Sequence, residues 1–198
     1  MTDHYFTEKP ESAHKPMQVQ HEYRGHTFTF QTDSGVFSRT EIDRGSRALL
    51  SAMPETITGD VLDMGCGYGV LGISLQKCNP ECRLTMADIN TRALALAKDN
   101  AAANGVTAEV VQSNGFAALT GKRFDFVVTN PPIRAGKQVI YAMFSDAAGA
   151  LRENGVLMLV IRKQQGAPSA VAALQSLFQT VDVIAKKGGY WVIRCVKN

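Results

Sequence analysis

The segment Asn130-Pro131-Pro132-Ile133 follows the apolar run FDFVVT and combines an amide side chain with two prolines. Proline has no N–H and restricts its own φ and the conformation of the residue before it, so the backbone here is stiff. Such a segment can simply end a strand. It can also hold two hydrogen-bond acceptors, the Asn130 side-chain oxygen and the Pro131 carbonyl, in fixed positions for the N–H groups of a ligand. We therefore treat these four residues as candidate catalytic residues.

The glycine-rich loop DMGCGYG forms a second candidate site, with Asp63, Gly65, Gly67 and Gly69 as its members. Glycines there let the backbone approach a ligand closely. A dinucleotide fingerprint would need glycine where Val70 stands, and an acid before the glycines would repel a pyrophosphate. The same acid can hold an ammonium group. The pattern favours a nucleoside that carries an amino acid over NAD, while a cap or turn role for Asp63 is the alternative.

Two further strand ends carry polar residues. Asp88, followed by Ile89, ends the run RLTMAD about 20 residues after the glycine loop, where a carboxylate can accept hydrogen bonds from both ribose hydroxyls. Asn114 and Gly115 follow the run AEVVQS, and an amide there can read the edge of an adenine as donor and acceptor. We include all four residues in the predicted cofactor site. The alternatives are a helix N-cap for Asp88 and a turn residue for Asn114.

The elements that must position these residues are short apolar strands alternating with helical segments. The predicted strands are DVLDMG, RLTMAD, AEVVQSN, FDFVVTN, VLMLVI, VDVIAKK and GYWVIRCV. Continuous apolar strands between helices indicate a mostly parallel sheet covered on both faces, and the short KGG turn makes the last two strands antiparallel. The predicted fold is a doubly wound α/β domain with seven strands. Ligands bind outside the carboxyl ends of such strands, where all four candidate segments lie.

The chain divides into two predicted regions. Residues 1–40 are expected to form an arm, up to about residue 20, and a small hairpin with Phe28 and Phe30 on one face. Residues 41–198 are expected to form the main domain, which begins with an amphipathic helix in EIDRGSRALLSAM. The helix after the Asn-Pro-Pro segment is predicted to run through YAMFSDAAGALRENG, up to Gly155.

The composition limits the class of protein. The chain has 198 residues, of which 45% are hydrophobic and 20% are charged, as in a folded globular domain. No apolar run approaches the roughly 20 residues of a membrane helix, so we expect a cytoplasmic protein without a membrane partner. The 4 cysteines include no CxxC pair and the 4 histidines precede residue 27, so we expect no metal site. A net charge of +3 weakly favours a polyanionic partner, and the oligomeric state is not predicted.

These four strand ends together resemble those of the class I S-adenosylmethionine-dependent methyltransferases. NPPI is similar to the Asn/Asp-Pro-Pro-aromatic signature of members that methylate exocyclic or amide nitrogens. The segments GVFSRTEIDRGSRALL, VLDMGCGYGVLG, QSNGF and TNPPIRAGK are similar to the bacterial small-domain methyltransferases related to the 16S ribosomal RNA guanine-N2 methyltransferase. The resemblance implies a Rossmann-like methyltransferase sheet, S-adenosyl-L-methionine as cofactor, and Phe37, Ser38 and Asp43 beside the cofactor pocket. It also implies methyl transfer to guanine N2, with ribosomal RNA or the small ribosomal subunit as partner.

The chain departs from this family at two points. Ile133 stands where the family usually has an aromatic residue that stacks on the target base, and Phe37 or Tyr141 are candidates to replace it. The larger ribosomal RNA enzymes also have a second, N-terminal methyltransferase-like domain. Substrate capture by this chain is therefore expected to depend on the small N-terminal extension and on basic loops.

Basic residues near the predicted active-site edge are candidate RNA contacts, namely Arg134, Lys137, Arg162 and Lys163. Arginine and lysine position a nucleic acid through its phosphates without reading its sequence. A solvated loop explains the same residues equally well. Three other functions stay open, which are methylation of a protein glutamine amide, methylation of adenine N6, and noncatalytic binding of cofactor or RNA.

Overall fold

The computed structural model describes residue 8 and residues 12–198, which form a seven-stranded sheet and a separate two-stranded hairpin. The strands are β1 (Met17–Tyr23), β2 (His26–Thr32), β3 (Asp60–Met64), β4 (Arg83–Asp88), β5 (Ala108–Gln112), β6 (Phe124–Thr129), β7 (Leu151–Arg162), β8 (Thr180–Lys187) and β9 (Tyr190–Val196). The α-helices are α1 (Arg44–Ser51), α2 (Val70–Cys78), α3 (Thr91–Ala103), α4 (Lys137–Ala150) and α5 (Ala167–Gln175). Short 3₁₀ turns lie at Ala117–Leu119, Ile133–Ala135 and Lys163–Gln165.

The large sheet has the strand order β5-β4-β3-β6-β7-β9-β8. The strands from β3 to β7 pair in parallel, while β9 is antiparallel to both β7 and β8. This confirms the predicted doubly wound sheet with its C-terminal antiparallel hairpin. The chain runs outward from β3 in one direction through β4 and β5, and then returns to the other side of β3 as β6. The crevice between β3 and β6 is thus the topological switch point, where ligands bind in such sheets.

Both faces of this sheet are buried. In β3, Val61 packs into the cluster formed with α1, α2 and α3, while its neighbour Leu62 packs into the cluster formed with α4 and α5. In β6, Val128 and Val127 divide between the clusters in the same way. Successive side chains of a strand point to opposite faces, so continuous apolar strands need helices on both sides.

The predicted N-terminal hairpin is formed by β1 and β2. Phe28 and Phe30 are buried on one face of it, with ring centroids 6.0 Å apart. The open edge of β2 is paired with a side chain of α3 and with that of its C-cap residue, Asn104. Asn100 Oδ1 accepts the Gln31 N–H at 2.7 Å, and Asn104 Oδ1 accepts a second β2 N–H at 3.2 Å. These amides satisfy backbone groups that a further strand would otherwise pair.

The predicted arm is shorter in the structure. Its residues 1–7 and 9–11 lie outside the described part of the chain, and β1 already begins at Met17. The early start of β1 follows from its pairing, because Met17 is opposite Thr32 at the far end of β2. None of the helices in the described ranges has the length and hydrophobicity that crossing a membrane requires.

The end of α4 differs from the prediction. The helix stops at Ala150 and does not continue to Gly155, because Leu151 is buried as the first residue of β7, opposite Phe124. Asn154 has a φ of 60°, a left-handed conformation that an α-helix excludes. Helix-forming residue types therefore gave way to burial of a leucine and a strand pairing.

Candidate active site

A cavity of about 590 Å³ opens at the carboxyl ends of β3, β4, β5 and β6, the edge that the sequence predicts. Most of the predicted cofactor and catalytic residues line it. They are Phe37, Ser38, Asp43, Gly65, Gly67, Asp88, Ile89, Asn114, Gly115, Asn130, Pro131 and Pro132. The cavity thus brings together the glycine loop, Asp88, Asn114 and the Asn-Pro-Pro segment. The first and last of these residues, Gly65 and Pro132, are 67 positions apart in the chain.

The glycine loop after β3 is held against the end of β4. The N–H groups of Gly65 and Cys66 both donate to the Ala87 carbonyl, at 2.8 and 3.0 Å. Gly65 and Gly67 have φ values of +70° and +55°, which L side chains rarely adopt, and a Cβ at either would meet open space. The loop therefore presents bare backbone to the cavity, as a ligand that must approach closely requires.

Asp88 links this loop to the next helix. Its Oδ2 accepts the Gly67 N–H at 2.8 Å and its Oδ1 accepts the Asn90 N–H at 2.9 Å. Burial raises the pKa of the Asp88 carboxyl, and the backbone N–H groups partly oppose that rise. Each carboxylate oxygen has a second lone pair, so Asp88 can still accept ligand hydroxyls. Both the support of the loop and the predicted binding role are compatible with this geometry.

The turn after β5 is fixed by Ser113, which the sequence reasoning did not single out. The Ser113 N–H donates to the Asp88 carbonyl at 2.9 Å, and its hydroxyl donates to the Gly115 carbonyl at 2.6 Å. Asn114 is exposed on the cavity wall between these anchored residues. A Cβ at Gly115, whose φ is +54°, would again meet open space. The turn thus leaves room beside the Asn114 amide.

The Asn-Pro-Pro segment is tied to both β3 and α1. Thr129, the last residue of β6, donates its hydroxyl to the Met64 carbonyl at 2.7 Å. Asn130 Nδ2 donates to Asp43 Oδ2 at 2.9 Å and to Ser46 Oγ at 3.1 Å. The amide oxygen is left to accept hydrogen bonds, which is the role that the sequence predicts for it. Pro131 is buried in the cavity wall.

Asp63 does not line the cavity. The direct contact with a ligand ammonium group that the sequence suggested for it is therefore not available in this geometry. It lies under the loop, fully buried, and its Oδ2 accepts the Gly72 N–H at 2.7 Å. Its Oδ1 has no hydrogen-bond partner among the described residues. Burial raises the pKa of this carboxyl to about 7. Asp63 faces the first turn of α2 because it belongs to β3, where the alternation of side chains points it to that side of the sheet.

Gly69 is also outside the cavity lining. Its φ is +97°, and a Cβ there would lie 2.6 Å from Ile73 Cδ1. The left-handed φ favours glycine at this position, and a larger residue would also displace the end of the Ile73 side chain where the loop meets α2.

Ile133 is turned away from the cavity. It begins a 3₁₀ turn and packs against the cluster under α4, as an aliphatic side chain does when a buried apolar surface is in reach. Tyr141 packs against the same cluster with its ring 5.9 Å from that of Phe144. Of the three candidates for contact with a target base, Phe37 alone lines the cavity, and its side chain is 37% exposed.

The predicted RNA contacts lie outside the cavity lining but are exposed to solvent. Arg134 lies within the 3₁₀ turn after Pro132, and Lys137 is the first residue of α4. Arg162 ends β7 opposite Tyr190, and Lys163 follows it. The structure therefore separates these residues into two groups, one after β6 and one at the end of β7.

Several cavity residues were not predicted. Ser46 and Tyr68 line the wall near the loop, and Val139 and Asp146 line it from α4. Ser46 could have been found from the sequence, because it stands three positions after Asp43, where an N-cap side chain accepts a backbone N–H in the first turn of the helix. The α4 residues carry no local signal that distinguishes a cavity wall from an exposed helix face. Among the described residues no group of three or more His, Cys, Asp or Glu is arranged to hold a metal ion.

Comparison with known proteins agrees with this architecture. Residues 27–194 match the family model of the methyltransferase small domain. The protein YbxB of Bacillus subtilis (strain 168) is 42% identical over the full length of both chains. Ribosomal RNA small subunit methyltransferase C of Serratia proteamaculans (strain 568) is 37% identical over 86% of this chain and 49% of the relative.

A solved structure supports the same assignment. The Thermus thermophilus 16S rRNA N2 G1207 methyltransferase, in complex with AdoMet and guanosine, superimposes with a TM-score of 0.83 at 29% identity. The match covers 96% of this chain and 52% of that one, so the chain spans about half the length of the ribosomal RNA methyltransferases it matches. From the match over residues 27–194 and these relatives, the chain belongs to the methyltransferase small domain family.

Proposed function

We propose that this protein transfers a methyl group from S-adenosylmethionine to guanine N2 of small-subunit ribosomal RNA. The observation that carries the proposal is the Asn130 amide. Its nitrogen is engaged by Asp43 and Ser46, so its oxygen is available as an acceptor, on the wall of the cavity that also contains Asp88. The residue proposed for the nucleoside and the residue proposed for the amine thus line the same cavity. The similarity to ribosomal RNA small subunit methyltransferases supports this choice of substrate.

The cavity residues fit S-adenosylmethionine. The open space beside Gly65 and Gly67 suits the close approach of a ligand to the loop backbone, Asp88 can accept the ribose hydroxyls, and Asn114 can pair with the adenine edge. Asp63 supports this arrangement from below through its hydrogen bond to the start of α2. When bound, S-adenosylmethionine supplies an electrophilic methyl group on a sulfonium sulfur.

The contribution of Asn130 and Pro131 is orientation and charge stabilisation. The exocyclic amine of guanine is a weak nucleophile because its lone pair is delocalised into the ring. If Asn130 Oδ1 and the Pro131 carbonyl each accept one N–H, the nitrogen turns and its lone pair can point along the direction of attack. The same two oxygens stabilise the positive charge that develops on the nitrogen. The stiffness of the two prolines keeps both acceptors in place.

Phe37 is the candidate for contact with the target base. It follows the hairpin, and its ring is partly exposed on the cavity wall, whereas Ile133 packs into the core. An aromatic face stacks on any base, with a contribution of roughly 1–3 kcal/mol. The segment between β2 and α1 that contains Phe37 is held to the glycine loop, because the Tyr68 hydroxyl donates to the Ser38 carbonyl at 3.2 Å.

The basic residues at the end of β7 are linked to the start of α1 by a short series of contacts. The Lys163 N–H donates to the Gly189 carbonyl at 2.8 Å, and Arg162 is paired with Tyr190 in the neighbouring strand. The Tyr190 ring lies 3.1 Å from the position that a Cβ of Gly45 would occupy, in the first turn of α1. Tyr190 thus lies between these cations and the first turn of α1, whose N-cap Asp43 contacts Asn130. We assign the phosphates of the substrate RNA to Arg162 and Lys163 on this basis.

Methyl transfer can be tested directly. Purified protein is incubated with methyl-labelled S-adenosylmethionine and unmodified 16S ribosomal RNA, small ribosomal subunits or total protein, and the digested products are identified by chromatography and mass. We expect N2-methylguanosine in the RNA. Label in adenine or in a protein glutamine would assign a different substrate, and cofactor binding without any transfer would favour a noncatalytic module.

The Asn130→Ala variant tests the assigned role. It should lose at least about 100-fold in transfer rate, by analogy with the loss of one preorganised polar group from an active site. Its affinity for S-adenosylmethionine, measured by calorimetry, should be retained, because Asn130 is assigned to the methyl acceptor. Unchanged turnover would remove Asn130 from the mechanism.

A further inference from the structure

Asp43 connects the start of α1 to the Asn-Pro-Pro segment, 87 positions further along the chain. One oxygen of its carboxylate, Oδ2, accepts both the Ser46 N–H at 3.0 Å and the Asn130 side-chain N–H at 2.9 Å. The first of these bonds is the N-cap of α1. The second is a contact to the residue that carries the proposed acceptor oxygen.

The identity of this partner decides which end of the Asn130 amide faces the cavity. The two ends of an asparagine amide have nearly the same shape but opposite hydrogen-bonding character. An ionised carboxylate only accepts, so the NH₂ end of Asn130 must face Asp43. Ser46 cannot enforce this orientation by itself, because a hydroxyl can donate as well as accept.

The surroundings of Asp43 keep its carboxylate in this position. A Cβ on Gly45 would lie only 2.8 Å from Asp43 Oδ2 and 3.1 Å from the Tyr190 ring. Glycine at position 45 therefore leaves the space into which the carboxylate is packed. The backbone N–H of Arg47 donates to the Asp43 carbonyl at 3.0 Å, which anchors the main chain as well.

We propose that Asp43 is a positioning residue, which holds the Asn130 amide with its oxygen toward the methyl-accepting amine; the inference depends on the proposed function. The resemblance to known methyltransferases assigns Asp43 to the cofactor pocket, whereas the contact to Asn130 gives it a role toward the acceptor substrate. The negative charge behind the NH₂ group also polarises the amide and makes its oxygen a stronger acceptor.

A double-mutant cycle tests this role. Asp43→Ser retains an N-cap for α1, since serine is a favourable N-cap residue, but removes the obligatory acceptor beside Asn130. We expect the saturated transfer rate to fall roughly tenfold in the natural background. In the Asn130→Ala background the same substitution should change the rate less than about twofold, because no amide remains to be positioned. The dissociation constant for S-adenosylmethionine should stay the same within about twofold.

A second readout does not require turnover. In a ¹H–¹⁵N spectrum the side-chain NH₂ signals of Asn130 are assigned by their loss in Asn130→Ala. They should shift in Asp43→Ser and exchange faster with solvent, because their carboxylate partner is gone. The N-cap by itself does not contact these protons, so a purely structural role of Asp43 would leave them unchanged.

The outcomes separate this inference from the proposed function. If the natural chain transfers no label to RNA, the proposed function fails, and the NH₂ signals still report on the contact. If the natural chain and Asn130→Ala behave as proposed but Asp43→Ser lowers the rate equally in both backgrounds, Asp43 acts independently of Asn130 and the inference is wrong. A weaker affinity for S-adenosylmethionine with an unchanged saturated rate would assign Asp43 to the cofactor and also overturn it.

Discussion

Replacing Asp63 with asparagine should remove one contribution to the pH dependence of the protein's stability. The Asp63 carboxyl is fully buried, accepts one backbone N–H from Gly72, and has an oxygen without a partner among the described residues. Burial raises its pKa from 3.8 to about 7 in the folded protein. An asparagine can occupy the same space and accept the same N–H with its amide oxygen.

The sign follows from the direction of the shift. A raised pKa means that the folded state binds the proton more tightly than the unfolded state does, so stability is lost as the pH rises from about 4 to about 7. The whole shift corresponds to about 4 kcal/mol, and about 3 kcal/mol of it falls between pH 5 and pH 8. Asparagine does not titrate. The free energy of unfolding of Asp63→Asn, minus that of the natural chain, should therefore increase by about 3 kcal/mol over this interval.

Urea denaturation at pH 5 and pH 8, at constant ionic strength, measures this difference. The NH₂ group of the new asparagine takes the place of the oxygen without a partner, which adds a cost that does not depend on pH. The test therefore concerns the change with pH and not the offset. Asp99→Asn on the exposed side of α3 is the matched control for the removal of one carboxyl. A difference for Asp63→Asn that stays constant from pH 5 to pH 8 would refute the argument from burial.

Three further substitutions test other parts of the site. Asp88→Ala should raise the dissociation constant of S-adenosylmethionine by about tenfold or more, because hydrogen bonds to a charged acceptor contribute about 1.5–3 kcal/mol; an unchanged constant in calorimetry would leave this residue a support of the loop. Changing Arg162 and Lys163 to alanine should weaken the proposed RNA binding, and the slope of log K against log salt concentration should become less steep by roughly 1–2. Lys98→Ala on α3 is the control, and an unaltered slope would place the RNA contacts elsewhere. Asn100→Ala should lower the free energy of unfolding, measured by urea denaturation, by about 3 kcal/mol. This buried amide makes hydrogen bonds of 2.7, 2.9 and 2.9 Å to β2 and the glycine loop. A loss below about 1 kcal/mol would show that water replaces the amide.

Much of the architecture was predictable because it depends on local patterns. Short apolar strands between helices predict a covered parallel sheet, and a turn of a few residues excludes a parallel last pair. The carboxyl ends of parallel strands share one edge, so the sequence alone predicts that Gly67, Asp88, Asn114 and Asn130 line one cavity, as they do.

The end of α4 was less predictable. Residues with high helix propensity continue past Ala150, but Leu151 gains more from burial in β7, and Asn154 adopts a left-handed conformation. Tertiary burial outweighs intrinsic helix propensity, which differs by less than about 1 kcal/mol between ordinary residues.

The sequence by itself determined which residue types stand at the ends of the strands, and with them the sheet, its binding edge and the family. The tertiary structure decided what each side chain faces. Asp63 points beneath the loop, Ile133 packs into the core, and Asn130 is oriented by Asp43. These outcomes depend on groups that are distant in the sequence and meet only after folding. Hydrogen bonding and burial act between neighbours in space, and a linear pattern records neighbours along the chain.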